Sequence, residues 1–171
     1  MPRLNFDWVT PRLAVGGRFL PEEAPALERL EIRHVIDLRA EERDDAAALE
    51  RLGIALLHLP TPDTRPVAQA QLTCAVRWLN ERQQAGGRAL IHCQHGVGRS
   101  ALAAACVLVS RGRSPLEALE TIKRARAAAA PSADQLAALV EWADSWRRAH
   151  EVRWRLPALG ELTAIAWRAP E

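Results

Sequence analysis

Nine consecutive residues, His92-Cys93-Gln94-His95-Gly96-Val97-Gly98-Arg99-Ser100, concentrate the groups that could do chemistry in this chain. Cysteine is a nucleophile in its thiolate form. An arginine six positions later offers a planar fork that holds two oxygens of one phosphoryl group, where a lysine offers only a point charge. An apolar run, Ala89-Leu90-Ile91-His92, precedes the segment and an alanine-rich stretch follows it. A strand, a glycine-containing loop and a helix start form an anion cradle, because successive backbone N–H groups point inward and the helix N-terminus adds positive potential. Gly96 and Gly98 permit tight curvature and close backbone approach. The same field favours a thiolate at Cys93, and the Ser100 hydroxyl is placed to hydrogen-bond the sulfur. Cys-x5-Arg alone is a weak pattern here, since 22 of the 23 basic residues are arginine and Lys123 is the one lysine. The preceding His92, the two glycines, Ser100 and the strand–loop–helix setting make it specific. Cys74 and Cys106 have Asn80 and Gly112 at the equivalent position, and read as core residues.

This segment resembles the phosphate-binding loop of the cysteine-dependent protein tyrosine phosphatases, specifically the dual-specificity type. The resemblance extends from Leu13-Ala14-Val15-Gly16-Gly17 through Val35-Ile36-Asp37-Leu38-Arg39 to about Trp142. It implies that Cys93 attacks phosphorus to form a phosphocysteine, and that Arg99 binds the phosphoryl oxygens and stabilises the transition state. The backbone amides of Gln94, His95, Gly96, Val97, Gly98 and Arg99 complete the cradle. His92 orients the loop and tunes the thiolate, and Ser100 assists breakdown of the intermediate. No metal or other cofactor is implied, because Arg99 and the amides carry the electrostatic work.

A leaving alkoxide or phenoxide needs a proton, so a carboxylic acid on a nearby loop is expected. Pro60-Thr61-Pro62-Asp63-Thr64-Arg65-Pro66 supplies Asp63, where classical members of the family carry Trp-Pro-Asp. The alternative for Asp63 is a turn residue capping the next helix. Asp37, in a buried strand pattern, is a weaker rival that more simply holds neighbouring backbone. Asp44 and Asp45 read as a solvated helix face. Gln135 stands where some relatives orient the hydrolytic water, although a helix cap explains it equally. His95 either contributes to the site or fills a loop position where only its N–H matters. His34, His58 and His150 read as structural, Trp142, Trp146 and Trp154 as packing, and Arg147, Arg148, Arg153 and Arg155 as a solvated face.

These residues need elements to position them. Arg12–Val15, His34–Leu38, Ile54–Leu59 and Ala89–His92 read as strands. Helical spacing or caps mark Glu22–Leu30, Glu41–Leu52 with an acidic first turn, Ala68–Gln84 and Gly98–Arg111. Two more helices open at capping boxes, Ser114-Pro115 with Glu117 and Ser132 with Gln135. The alternation predicts an α/β fold: a central, mainly parallel sheet of about four to five strands flanked by helices. Residues 1–150 are expected to form the catalytic domain. Residues 151–171, rich in Trp and Leu, are expected to pack on it as a C-terminal extension.

A chain of 171 residues suits one sizeable core. A net charge of +2 gives no reason to require nucleic acid or a membrane surface. Three cysteines without disulfide or zinc spacing, no apolar leader and no span of membrane length predict a cytoplasmic setting. With no tyrosine in the chain, the pocket-deepening Asn-Arg-Tyr type of motif is absent. The resemblance then implies a shallower site for phosphoserine, phosphothreonine and phosphotyrosine proteins, or a small phosphomonoester. The alternatives are a lipid, nucleotide or RNA 5′-phosphatase, a phospho-ligand binding module without turnover, and, less well fitted by loop length, a rhodanese-like sulfurtransferase.

Overall fold

The computed structural model describes residues 3–170; residues 1 and 2 of the expected domain and residue 171 of the extension lie outside them. Five strands form one sheet: β1 (Phe6–Thr10), β2 (Leu13–Gly16), β3 (Ile32–Arg39), β4 (Ala55–Thr61) and β5 (Arg88–His92). Their spatial order is β1-β2-β5-β3-β4. Only the β1–β2 pair is antiparallel; β2–β5, β5–β3 and β3–β4 are parallel. The helices are α1 (Ala24–Arg29), α2 (Ala46–Arg51), α3 (Gln69–Gln84), α4 (Arg99–Ser110), α5 (Pro115–Ala125), α6 (Ala133–Ala149) and α7 (Leu159–Ala166). β1, an edge strand with one buried residue in five, lacks a strong apolar signal and was not anticipated.

The carboxyl ends of β2, β3, β4 and β5 face one edge of the sheet, the usual place for a ligand in an open parallel sheet. The loops leaving those ends carry Gly17, Glu41 and Asp44, Asp63, and Cys93. Register adds to this, because Asp37 of β3 lies beside His92 of β5. α4 then runs back behind the site. Arg99 through Val109 are all buried, and a helix apolar on all sides belongs in the interior. Its alanines let the sheet, α3, α5 and α6 close on it. Both expected capping boxes form: Ser114 with Glu117, and Ser132 with Gln135.

Four expectations change. The helix read over Glu41–Leu52 shrinks to Ala46–Arg51. Asp45 is its N-cap, accepting from the Ala48 amide at 3.0 Å, while Glu41 and Asp44 turn inward to buried arginines. Tertiary ion pairing has overridden the favourable charge–dipole pattern of a longer helix. Asp44 is accordingly buried rather than on a solvated face. Glu22–Leu30 divides into a 3-10 turn, Pro21–Glu23, and the short α1. Cys106 is a core residue, and burial pushes its thiol pKa far up, whereas Cys74 is exposed on α3.

In the 151–171 segment, α7 inserts Leu162 and Ala166 into the main core. The one lysine secures it. Lys123, buried on α5, donates its three hydrogens to the carbonyls of Ala127 (2.7 Å), Ala129 (2.9 Å) and Ala166 (2.9 Å). Trp142 is buried and stacks on Trp146, which stacks on His150. Arg147 and Arg148 pair with Asp144 at the surface. Among the described residues no helix is long and apolar enough to cross a membrane.

Candidate active site

β5 delivers Cys93 to the sheet edge, and the next five residues wrap into a loop before α4. Four successive carbonyls of that loop are tied outward. Gln94 O accepts from the Arg18 amide (3.1 Å) and Val97 O from the Ala130 amide (2.9 Å). Arg126 takes the two between them, His95 O at 3.0 Å and Gly96 O at 2.7 Å. In a planar trans peptide the N–H points opposite to the C=O. The amides of His95, Gly96, Val97 and Gly98 are thereby turned into the loop. Asp7 and Asn5 hold Arg126 from behind, each at 2.9 Å.

The loop glycines have separate reasons. Gly96 lies at φ +69°, with Gly16, Gly17 and Arg126 against the space a Cβ would fill. Gly98 has an ordinary φ, and its missing side chain makes room for the Gln135 amide instead.

Cys93 is buried, with Sγ 3.4 Å from Ser100 Oγ. Arg99, the largest fully buried side chain, is clasped by a group the sequence did not single out. Glu41 accepts from both of its terminal nitrogens, at 2.7 and 3.1 Å. Thr61 O accepts from Nη1 at 2.8 Å, and Asp63 Oδ1 lies 3.1 Å from Nη2. Burial, the largest single influence, opposes the charge on Arg99, but the Glu41 hydrogen bonds together with the charge interactions of Cys93, Glu41 and Asp63 outweigh it and raise the guanidinium pKa. The same bonds hold the Glu41 carboxyl below the usual carboxylate range. Arg99 Nε–H is buried and has no partner among the described residues, so one donor of the fork is uncommitted.

His92 is fully buried. Its Nε2 lies 2.6 Å from Asp44 Oδ2 and its Nδ1 3.3 Å from Cys93 O. Arg39 joins Asp44 to Asp37: Nη2 donates to Asp44 Oδ1 at 2.9 Å and to Asp37 Oδ2 at 3.1 Å. Asp37 also accepts from the Arg39 and Asp44 amides, each at 3.0 Å, the backbone-holding role expected of it. Burial alone would raise the Asp37 carboxyl, but Arg39 and His92 bring it below its ordinary value. Asp37, Asp44 and His92 present ligand atoms within 4.8 Å of one another. Each of the four carboxylate oxygens already faces the Arg39 guanidinium or His92 Nε2, so the buried cation in this cluster is Arg39.

Removing one partner of a buried ion pair costs far more than removing an exposed cap. Asp44→Ala is therefore expected to destabilise the chain by about 3–5 kcal/mol in urea denaturation. Asp45→Ala, which loses only a cap, should cost about 1 kcal/mol. Equal costs would mean that the buried network does not hold the site.

Cys93, Arg99, His95, Val97 and Gly98 open on one cavity of about 320 Å³, completed by Asp63, Thr64, Ala130, Ser132, Gln135 and Trp167. A larger groove of about 730 Å³ between α3 and α6 is lined by no cysteine or carboxylate. Asp63 sits on the loop after β4, half exposed, and accepts from the Thr64 amide at 2.9 Å. Thr64 is at φ +65°, an unfavourable conformation for a β-branched residue. Gln135 is buried, accepting from the Ser132 amide at 2.9 Å and donating to Arg65 O at 3.2 Å. It caps its helix and lines the cavity at once. His95 is exposed at the cavity, whereas His34 and His58 bond backbone carbonyls away from it.

A model of the DSP-PTPase phosphatase domain of the Swiss Army Knife proteins matches residues 3–145. The chain belongs to this family. As a DSP-PTPase domain it is 29% identical over 124 residues to the dual specificity protein phosphatase TpbA of Pseudomonas aeruginosa. That match covers 72% of this chain and 55% of TpbA, so the chain spans about half the length of the curated relatives it matches. Two solved structures share the domain closely. Tk-PTP in its active form is 30% identical with a TM-score of 0.75, over 82% of this chain and 97% of that one. PTPMT1 is 25% identical with a TM-score of 0.77, over 86% and 99%. The DSP-PTPase match stops before α7, so Trp167 is an addition to the cavity from outside the matched domain.

The loop residues, Asp63 and Gln135, named from the sequence, face the cavity; Thr64, Ala130 and Trp167, which also line it, and the residues that hold the loop were not. Arg126, Glu41, Asp44 and Arg39 lie in charged stretches that resemble solvated surface. Only for Arg39, which directly follows the largely apolar Val35–Leu38 run, does the neighbourhood hint at burial.

Proposed function

We propose that this chain hydrolyses phosphomonoesters through a phosphocysteine on Cys93, acting on phosphotyrosine, phosphoserine and phosphothreonine in proteins. One observation carries the proposal. The Cys93 thiol, the buried Arg99 fork and the Asp63 carboxylate open on one cavity whose loop amides are turned inward.

In the first step the Cys93 thiolate attacks phosphorus and the bond to the leaving oxygen breaks. The inward amides and Arg99, including its uncommitted Nε–H, take the equatorial oxygens, where charge must be stabilised. Asp63 gives its proton to the leaving alkoxide or phenoxide. In the second step water attacks the phosphocysteine, Asp63 takes a proton from it, and the S–P bond breaks to release phosphate. Gln135, on the cavity wall, orients that water. The Ser100 hydroxyl, 3.4 Å from Sγ, donates to the departing sulfur. His92, fixed by Asp44, holds the loop at its first residue through the Cys93 carbonyl.

The loop between Cys93 and Arg99 carries no lysine or arginine, which supports a single phosphoryl group as ligand rather than a polyphosphate or inositide. The three cysteines are free, and the reaction needs Cys93 reduced, which supports a reducing compartment such as the cytoplasm. A chelator-treated assay with an aryl phosphate tests the proposal. Hydrolysis is expected, and phosphate binding without hydrolysis would point instead to a binding module.

The acid has its own signature. Asp63→Ala is expected to slow a poor leaving group, such as a serine alkoxide, by roughly 10²-fold or more. A nitrophenolate, which leaves without a proton, should lose much less. Equal losses on both substrates would remove Asp63 from the role of acid.

A further inference from the structure

A large aromatic side chain left in water is informative when something holds it there. Trp167 is 62% exposed, the most exposed large hydrophobic residue described, and it lines the cavity that contains Cys93 and Arg99. It does not hang from a loose tail. Ala166, just before it, is buried and its carbonyl accepts from Lys123 Nζ. Arg168, just after it, makes two contacts with the Glu120 carboxylate, at 3.2 and 3.1 Å. The Trp167 amide donates to Thr163 O at 3.0 Å, ending α7.

Lys123 extends this anchorage to the phosphate loop. It also binds Ala127 O and Ala129 O, and the next residue, Ala130, donates its amide to Val97 O. The backbone that carries the indole is thus fixed relative to the amides that would hold a phosphoryl group. Val97, about a third exposed, is a second apolar group on the same cavity. An apolar wall on an anchored backbone beside an anion cradle suits a ligand whose phosphoryl oxygen is bonded directly to a flat ring, since ring–ring contact adds to area burial.

We infer that Trp167, supplied by the C-terminal helix, is a specificity-determining residue that packs against the ring of an aryl phosphomonoester such as a phosphotyrosine side chain. The inference rests on the proposed active site and sharpens its substrate class: phosphotyrosine is favoured over the aliphatic phosphoesters the same cradle admits.

Trp167→Ala should raise KM for a phosphotyrosine peptide roughly three- to tenfold. kcat should change little, and kcat/KM for the matching phosphoserine peptide should stay within about twofold. Trp167→Phe should restore most of the difference, which a merely structural role for α7 would not give. Equal losses on both peptides, or none on either, would overturn the inference, as would a wild-type preference for a nucleoside monophosphate over the phosphotyrosine peptide. A binding measurement separates this from failure of the active-site proposal. In Cys93→Ser, phenyl phosphate should bind more tightly than methyl phosphate, and adding Trp167→Ala should abolish the difference. If the two bind equally well, Trp167 has no such role. If neither binds, the active-site proposal falls and the inference falls with it.

Discussion

Cys93→Ser is expected to reduce turnover of any phosphomonoester by roughly 10⁴-fold or more, while leaving phosphate-ester binding largely intact. The loss is large because, among the described residues, Cys93 is the one cysteine that lines the cavity. Ser100, whose hydroxyl lies 3.4 Å from the sulfur, is fully buried at the first turn of α4. Binding should survive because the cradle does not depend on the sulfur. Its amides are aimed by the Arg18, Arg126 and Ala130 contacts on the outside of the loop, and none of those involves Cys93. Steady-state kinetics and equilibrium binding on the same variant separate the two effects. A variant that loses binding along with turnover would show that the thiol is part of the fold of the loop.

Arg99→Lys is expected to lower kcat by roughly 10³-fold and to raise KM as well, although the positive charge is kept. The fork does two jobs that an ammonium cannot combine. Its terminal nitrogens bind both Glu41 oxygens and Thr61 O, and its Nε–H remains buried and uncommitted. A lysine offers one nitrogen, which would be drawn to Glu41 and away from the ligand. Circular dichroism and thermal unfolding should accompany the kinetics, because Glu41 would keep only part of its pairing. Near-wild-type activity in Arg99→Lys would mean that charge alone suffices, and that sharing one guanidinium between Glu41 and the ligand is not what stabilises the transition state.

How far the sequence carries depends on what each residue has to do. The strand–loop–helix around Cys93 was legible because a short apolar run, loop glycines and an alanine-rich helix are local signals. The parallel sheet followed from the alternation of strands and helices. The 41–45 segment misled because its local signal is sound: acidic residues do favour a helix start. Glu41 and Asp44 are taken instead by Arg99, fifty-eight residues away, and by Arg39, whose strand no local pattern joins to this turn. Arg126 was invisible for the same reason. It lies thirty residues beyond the loop whose carbonyls it holds, in a chain where arginine is common. Trp167 stood in a stretch recognisable as too apolar for a free tail, but which face it would meet depended on Lys123 and its three carbonyl partners.

Two roles of one residue can also hide each other. Gln135 completes a capping box, which explains its presence fully at the level of the helix, yet its amide fills the space left by Gly98 and lines the cavity. Asp63 could have been a helix cap. The structure instead places its carboxylate beside Arg99 and leaves the first turn of α3 without a side-chain cap.

The most direct test of the account is to look for the covalent intermediate. The purified chain is mixed with an excess of aryl phosphate, quenched in acid within the first turnovers, digested and analysed by mass spectrometry, with Asp63→Ala as the variant in which breakdown is slowed. The account predicts one added phosphoryl group, located on Cys93 and absent from Cys74, Cys106 and the Cys93→Ser variant. Turnover of the ester with Cys93 unmodified under the same quench, or with the phosphoryl group on another residue, would contradict it.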